Sequence, residues 1–406
     1  MSNPEFGVSV VRTGDEPRPA VEADFSTAGF VLTAPDADPV GFPLDTAVRI
    51  NTADPAALEA LAGSDATTGS AHGQIETLQA QLGGLSAEAV IVRVDPGVDL
   101  TTAQTAIIDG LDILAASPAE TGITPRLLAV PGFTWQQDDP ATANPVVTKL
   151  AAIAPALEAH VFASGPHTTL QAFNDWRETF ASEDINPIET WVKYGTGATA
   201  IDSVAAFIGM QIAADAANRG VPASAPANLA VQGIVGASRP IPFSITDGAT
   251  EGQQILAADG GIVLKGERGV SSAIADAGFY GISYATAAED DLWRFSNVKR
   301  LRQYIELTMR RTIAFYLGKR NVTPRTRDLI LQTMQGILRD LMADGHLLDY
   351  AVHFEADKNS PENLRLGRLR TGFRAEEPPT LRRIDIDSGR MREAFSTAFG
   401  DVILTS

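Results

Sequence analysis

A layered α/β protein of more than one domain is predicted by three features of the sequence. Its 406 residues exceed what one ordinary core holds, at roughly 100 to 200 residues per domain. Hydrophobic residues at 44% and charged residues at 20% match folded globular chains, so a buried core is expected and wholesale disorder is not. Between Thr46 and Val235, short β-rich runs alternate with helical patterns, which implies a largely parallel sheet covered by helices.

The elements follow in order. Phe6 to Val10 alternates apolar and small residues like a strand, then meets the turn chemistry of Arg12 to Pro19. Ala28 to Ala34 is a second strand, followed by a loop rich in Pro and Asp from Pro35 to Pro43. Four runs are expected as buried strands: Ala89–Val94, Arg126–Val130, Ala159–Ala163 and Thr190–Tyr194. Helical spacing falls between them over Ala103–Ala115, Val146–Leu157 and Leu170–Phe180, and again over Ser203–Ala217 before a strand at Leu229–Val235. Phe279–Ala285 suggests another strand. A long helix then spans roughly Asp291 to Leu317, with Val298, Leu301, Ile305, Thr308, Thr312 and Tyr316 on one stripe. In the next helix Thr323 is the N-cap, Pro324 the first helical residue, Ile330, Met334, Ile337 and Leu341 the apolar face, and Gly345 the stop. Strands are expected at Leu348–Glu355, Leu364–Phe373 and Leu381–Ile386, and a last one at Asp401–Thr405.

Composition narrows the function classes. With no cysteine, neither disulfides nor thiolate-bound metal or iron–sulfur sites are possible, which is compatible with a reducing cytosol. Met1 to Glu16 has no basic start followed by an apolar run, so a secretory signal is not expected there. No apolar stretch reaches the roughly 18 residues of a membrane-spanning helix. The net charge of −18 is unevenly placed: 12 basic against 35 acidic residues through Asp290, then 20 against 15 from Asp291 onward. Such a chain is repelled by phosphates over most of its surface, which argues against direct nucleic-acid binding. Opposite-sign surfaces on identical copies would instead attract head to tail.

Catalytic motifs are weak. Gly195-Thr196-Gly197-Ala198-Thr199-Ala200 fits G-x-G-x-x-A between a strand and a helical pattern, the context of a dinucleotide-binding turn, and it makes a nucleotide-dependent α/β enzyme the alternative reading. The acidic residue that should end the next strand is missing, for that run closes on Gly236-Ala237-Ser238-Arg239. His346 and His353 are seven apart, which points them to opposite faces if they share a strand. His160 and His167 flank Ser164, but Ser164-Gly165-Pro166 is no nucleophile elbow. No catalytic, cofactor or metal residue is assigned. The basic residues Arg294, Lys299, Arg300, Arg302, Arg310 and Arg311, with Arg325, Arg327 and Arg339, lie on the two long helices as a solvated face or a docking face for an acidic partner.

A resemblance covers most of the chain. The run Phe279-Tyr280-Gly281-Ile282-Ser283-Tyr284-Ala285, the acidic turn Glu289-Asp290-Asp291 and the helix start Trp293 to Arg300 resemble the signature of contractile-tail sheath proteins of myophage tails and R-type bacteriocins. Gly345-His346-Leu347-Leu348, Asn363-Leu364, Gly367-Arg368-Leu369 and Pro378-Pro379 match that family's pattern in order, as do Pro226-Ala227-Asn228 and Val31 to Asp38 upstream. The resemblance implies a non-enzymatic subunit that assembles in the host cytoplasm into a virion tail, as stacked hexameric rings around an inner tail tube protein, capped by baseplate and tail terminator proteins. It implies no cofactor and no membrane insertion.

The domain organisation expected is a linker arm over 1–20, a layered α/β body with an insertion-type domain over 21–275, a C-terminal α+β domain over 276–389 and a second arm over 390–406. Twenty extended residues reach at most roughly 65 Å, whereas a compact body of this size is about 55 Å across. The arms can therefore add strands to a neighbouring copy through Phe6, Val8 and Val10 at one end and Val402, Ile403 and Leu404 at the other. The second long helix, with Arg325, Arg327, Asp328, Gln332, Gln335 and Arg339, is expected to face the tube.

Overall fold

The structure, a computed structural model, describes residues 20–62, 69–137, 139–195 and 199–391. The first half runs β1 (Ala28–Thr33), β2 (Ala47–Asn51), α1 (Pro55–Ala62), α2 (Gln74–Gln81), β3 (Glu88–Val94), α3 (Leu100–Ala116), α4 (Pro118–Thr121), β4 (Leu127–Ala129), α5 (Pro145–Leu157), β5 (His160–Ser164), α6 (Leu170–Arg177) and β6 (Ile185–Ile188). Its strands form one sheet in the order β2-β3-β1-β4-β5-β6. All pairs are parallel except the antiparallel edge β2–β3. Alternate residues of β1 bury opposite faces, as a sheet covered on both sides requires. Phe30 and Leu32 join the core under α2 and the later helix over Val204–Ala217, while Val31 joins Val90, Val92 and Val94 under α3 and α5.

Helix ends obey local chemistry. Asn144 caps α5 through two backbone N–H groups at 2.8 and 3.1 Å, with Pro145 next. Asp99 caps α3 in the same way through Thr102.

Beyond β6 come β7 (Val192–Tyr194), β8 (Ala200–Ile201), α7 (Val204–Ala217), β9 (Ala227–Ala230), β10 (Ile234–Ala237), α8 (Glu251–Ala257), β11 (Ile262–Lys265) and β12 (Phe279–Ile282). They build two small antiparallel sheets, β10-β7-β8 and β11-β12-β9. Helix α7 lies against α2 so closely that a Cβ on Gly209 would stand 2.4 Å from the Leu78 carbonyl oxygen. The last part comprises α9 (Ser296–Ile313), α10 (Pro324–Ala343), β13 (Asp349–His353), α11 (Pro361–Arg365) and β14 (Gly372–Glu376). Helices α9 and α10 pack with Tyr350, Val352 and Phe373 of the β13–β14 ribbon around a third core. Every residue expected on the two apolar stripes, from Val298 to Tyr316 and from Ile330 to Leu341, is buried.

Several expectations need correction. The last parallel strand is Ile185–Ile188, not Thr190–Tyr194; Pro187 disguises it, and Pro is tolerated because β6 is the sheet's edge. The run Leu229–Val235 splits into β9 and β10, in different sheets, where Gly233 takes φ +72°. The strand expected over Leu364–Phe373 is instead α11 followed by β14: Ser360 Oγ caps Asn363 N at 3.3 Å, Pro361 opens the helix and Gly367 at φ +75° ends it. Asp291 to Leu317 is interrupted: 3₁₀ turns at Asp291–Trp293 and Ala314–Tyr316 flank α9. Leu381–Ile386 forms no strand within the subunit. Strand β12, which follows the domain boundary expected at 275/276, pairs with both β9 and β11.

Candidate assembly surfaces

Three features of the surface bear on assembly, and all meet at α9 or α10. The first is the segment from residue 20 to 27, which lies along α9. The Val21 N–H donates to Thr312 Oγ1 at 3.0 Å, Arg311 Nη1 donates to the Glu22 carbonyl at 2.8 Å, and Phe25 packs edge-on against Tyr304. The second is the stretch from Glu377 onward. Arg302 forks onto Glu377 at 2.7 and 2.8 Å, which raises the Arg302 pKa, and Asn297 Nδ2 donates to the Pro378 carbonyl at 2.9 Å. After Thr380 the backbone has no regular structure to Met391. The third is the β13–β14 ribbon, whose two strands have only each other as strand partners among the described residues.

Lys299, Arg300 and Arg302 of α9 face inward, which overturns the reading of them as a solvated or docking face, whereas Arg310 and Arg311 are exposed. Arg300 is fully buried and binds both Asp215 oxygens, Nη1 to Oδ1 at 3.0 Å and Nη2 to Oδ2 at 2.7 Å. Lys299 pairs with Glu183 and with Asp184, the latter at 3.6 Å. Arg310 reaches Glu158 at 2.6 Å, and just before the helix Arg294 binds Asp259 at 2.6 Å. Cations of the basic C-terminal third are therefore paired with acids of the body inside one subunit. Sequence reading missed this because the partners stand far apart; Asp215, the one acid in a largely apolar helix, was the available signal.

On α10 the expected tube-facing residues Arg325, Asp328, Gln332, Gln335 and Arg339 are exposed, and Arg327 is half-buried over the Phe354 ring. Arg327 pairs with Asp328 at 2.7 Å and Arg339 with Asp340 at 3.0 Å, so the face is of mixed sign. The strand-adding residues Phe6, Val8, Val10, Val402, Ile403 and Leu404 lie outside the described residues.

The candidate enzymatic features come apart. Gly195, at φ +61°, follows β7, which pairs antiparallel with β8 (Val192 with Ile201, Lys193 with Ala200). The glycine-rich stretch therefore links a hairpin and not a strand to a helix, and the dinucleotide reading loses its context; Thr196 to Ala198, Gly197 included, lie outside the described residues. Ser164 Oγ accepts from Trp191 Nε1 at 2.7 Å, and His160 stands four residues earlier on the same strand, about 13 Å away. Burial, helped by the nearby Arg300 charge, lowers the His160 pKa to about 3. His346 precedes β13 and His353 ends it, so the two do not share a strand. Among the described residues no helix is long and apolar enough to cross a membrane.

The tail sheath protein of Escherichia phage P2 is 24% identical over 416 aligned positions, which cover 95% of each chain. This chain is similar to tail sheath proteins. A putative prophage major tail sheath protein of Pseudomonas aeruginosa (strain UCBPP-PA14) is 26% identical over 275 positions, 66% of each. No family model matches the chain. Among solved structures, the fold is shared with the sheath complex of an extracellular contractile injection system (PVC) in its contracted state, at TM-score 0.68, 16% identity, and coverage of 97% of this chain and 99% of that one. The anti-feeding prophage helical sheath in its contracted state matches at TM-score 0.67 and 14% identity over 96% of this chain and all of that one. The shared fold thus covers 96–97% of this chain.

Proposed function

We propose that this chain is the subunit of a contractile sheath, polymerising as stacked six-fold rings around an inner tube and shortening to drive that tube through a target envelope. Its sheath relatives support the reading, and one observation on the subunit carries it. Leu381, Ile384, Ile386 and Met391 are 75%, 69%, 84% and 77% exposed in a stretch without regular secondary structure. Ile384 and Ile386 alternate with Asp385 and Asp387, the pattern of a strand that has one apolar face and lacks its sheet. The β13–β14 ribbon is a two-stranded sheet packed on α9 and α10, and its edges are where a neighbour's strand would pair.

The arms 1–20 and 390–406 then join adjacent copies, through Phe6, Val8 and Val10 and through Val402, Ile403 and Leu404. The linkers absorb rotation between bodies while the main-chain bonds persist, so the lattice stays connected as body contacts switch. The outer face of α10 meets the inner tube, and baseplate and tail terminator proteins close the array in a virion tail. Deletion of residues 1–16 is expected to leave folded monomers that form no tubes in negative-stain micrographs; abundant tubes from that variant would refute strand exchange.

A further inference from the structure

Both leads grip the same helix, at opposite ends. The N-terminal lead is held at the C-terminal end of α9, by Thr312 and Arg311. From there it runs back along the helix until the Phe25 carbonyl accepts from Arg300 Nη2 at 3.1 Å. The C-terminal lead is held at the N-terminal end, where Asn297 both donates to Pro378 and accepts from Thr380 Oγ1, each at 2.9 Å. Asn297 and Thr312 are about 22 Å apart at 1.5 Å rise per residue. Between them, Arg300 bridges to Asp215 on α7 and Gln303 Nε2 donates to Asp184 at 2.9 Å, so the helix is tied to the body along its length. Arg300 alone touches three pieces: its own helix, α7 and the N-terminal lead.

We propose that α9 is the load path of the subunit, carrying tension between the two terminal segments, and that Arg300 is the positioning residue that fixes the N-terminal lead to it. This rests on the reading that those segments join neighbouring copies. Tension entering a coil first extends the coil, whereas a buried helix of hydrogen-bonded turns passes it on with little extension. Anchoring both leads to one such helix spares the parallel sheet from the load.

The test compares the urea concentration at which assembled tubes shed subunits, read by sedimentation and negative-stain microscopy, with the concentration that unfolds isolated subunits. The variant Thr312→Val with Asn297→Ala removes the hydrogen bond to Val21 at one end of α9 and those to Pro378 and Thr380 at the other. It is expected to shed subunits at lower urea than wild type, or to form no tubes, while its unfolding midpoint moves much less. Thr312→Ser, which keeps the hydroxyl, should restore the first grip. A second variant, Arg300→Met with Asp215→Leu, fills the buried space with apolar atoms and removes the bond to Phe25; the same selective loss is expected. Tubes as resistant as wild type from either variant, or a shedding threshold that falls only in step with subunit unfolding, would overturn the proposal. Tubes formed after deletion of residues 1–16 would instead defeat the strand-exchange reading beneath it, independently of the grip variants.

Discussion

Arg300 on α9 has no exposed side-chain surface and binds Asp215 through both oxygens, whereas Arg339 on α10 is 66% exposed and pairs with its own neighbour Asp340. The two helices are similar in length and both carry several arginines, yet one buries Arg300 in the body while the other presents Arg325 and Arg339 to the surface. An exposed pair gains little because water screens it. A buried pair whose partner is removed leaves a bare charge in a medium that cannot solvate it. The difference is one of environment, and it separates a helix that joins the parts of one subunit from a helix free to meet another protein.

The comparison breaks most sharply at Arg300. Arg300→Met alone should lower subunit stability by about 3–5 kcal/mol in urea unfolding, because Asp215 is left buried and unpaired. Adding Asp215→Leu should recover most of the loss, and a single variant as stable as wild type would mean the pair is not buried in solution. The next effect is a pH dependence on the α9 side. His160 is held neutral when folded, with a pKa of about 3 against an ordinary 6.5, so between those values the unfolded chain binds more protons. Stability should therefore fall as pH drops from about 6.5 toward 3, by an amount on the order of a few kcal/mol. His160→Leu should flatten that slope, and an unchanged profile would remove His160 as its source.

On α10, Thr323→Ala removes the oxygen that accepts from Thr326 N at 3.2 Å and should cost about 1 kcal/mol, read as a shifted urea midpoint. The smallest stability effect is expected for Arg325→Glu with Arg327→Glu and Arg339→Glu, which should leave circular dichroism and the urea midpoint unchanged while abolishing co-assembly with the inner tube protein. Co-assembly at wild-type level would release α10 from that role.

Helix α10 was legible from start to stop, since Thr323, Pro324 and Gly345 signal through their own backbone chemistry. The buried strands Ala89–Val94 and Ala159–Ala163 were legible as apolar β-rich runs. Strand β6 was not, because Pro187 argues against a strand until its edge position is known. The short helix α11 was missed although Ser360-Pro361 is a capping signal, because the alternating residues after it read as a strand. Of the assembly surfaces, the exposed face of α10 followed from helical periodicity. The two leads did not, because Val21 meets Thr312 and Asn297 meets Pro378 across 291 and 81 residues.

What the sequence determined by itself is everything that depends on near neighbours along the chain: where helices begin and end, which stripe of each is apolar, and that a layered α/β arrangement follows. What only the tertiary structure decided is which charges lie inside, which strand is an edge, and that both terminal segments fasten to one helix. Hydrophobic periodicity and capping act over a few residues and leave their mark in the local order of the chain. An ion pair such as Arg300 with Asp215 depends on a distance in space, and no local spacing encodes a distance across 85 residues.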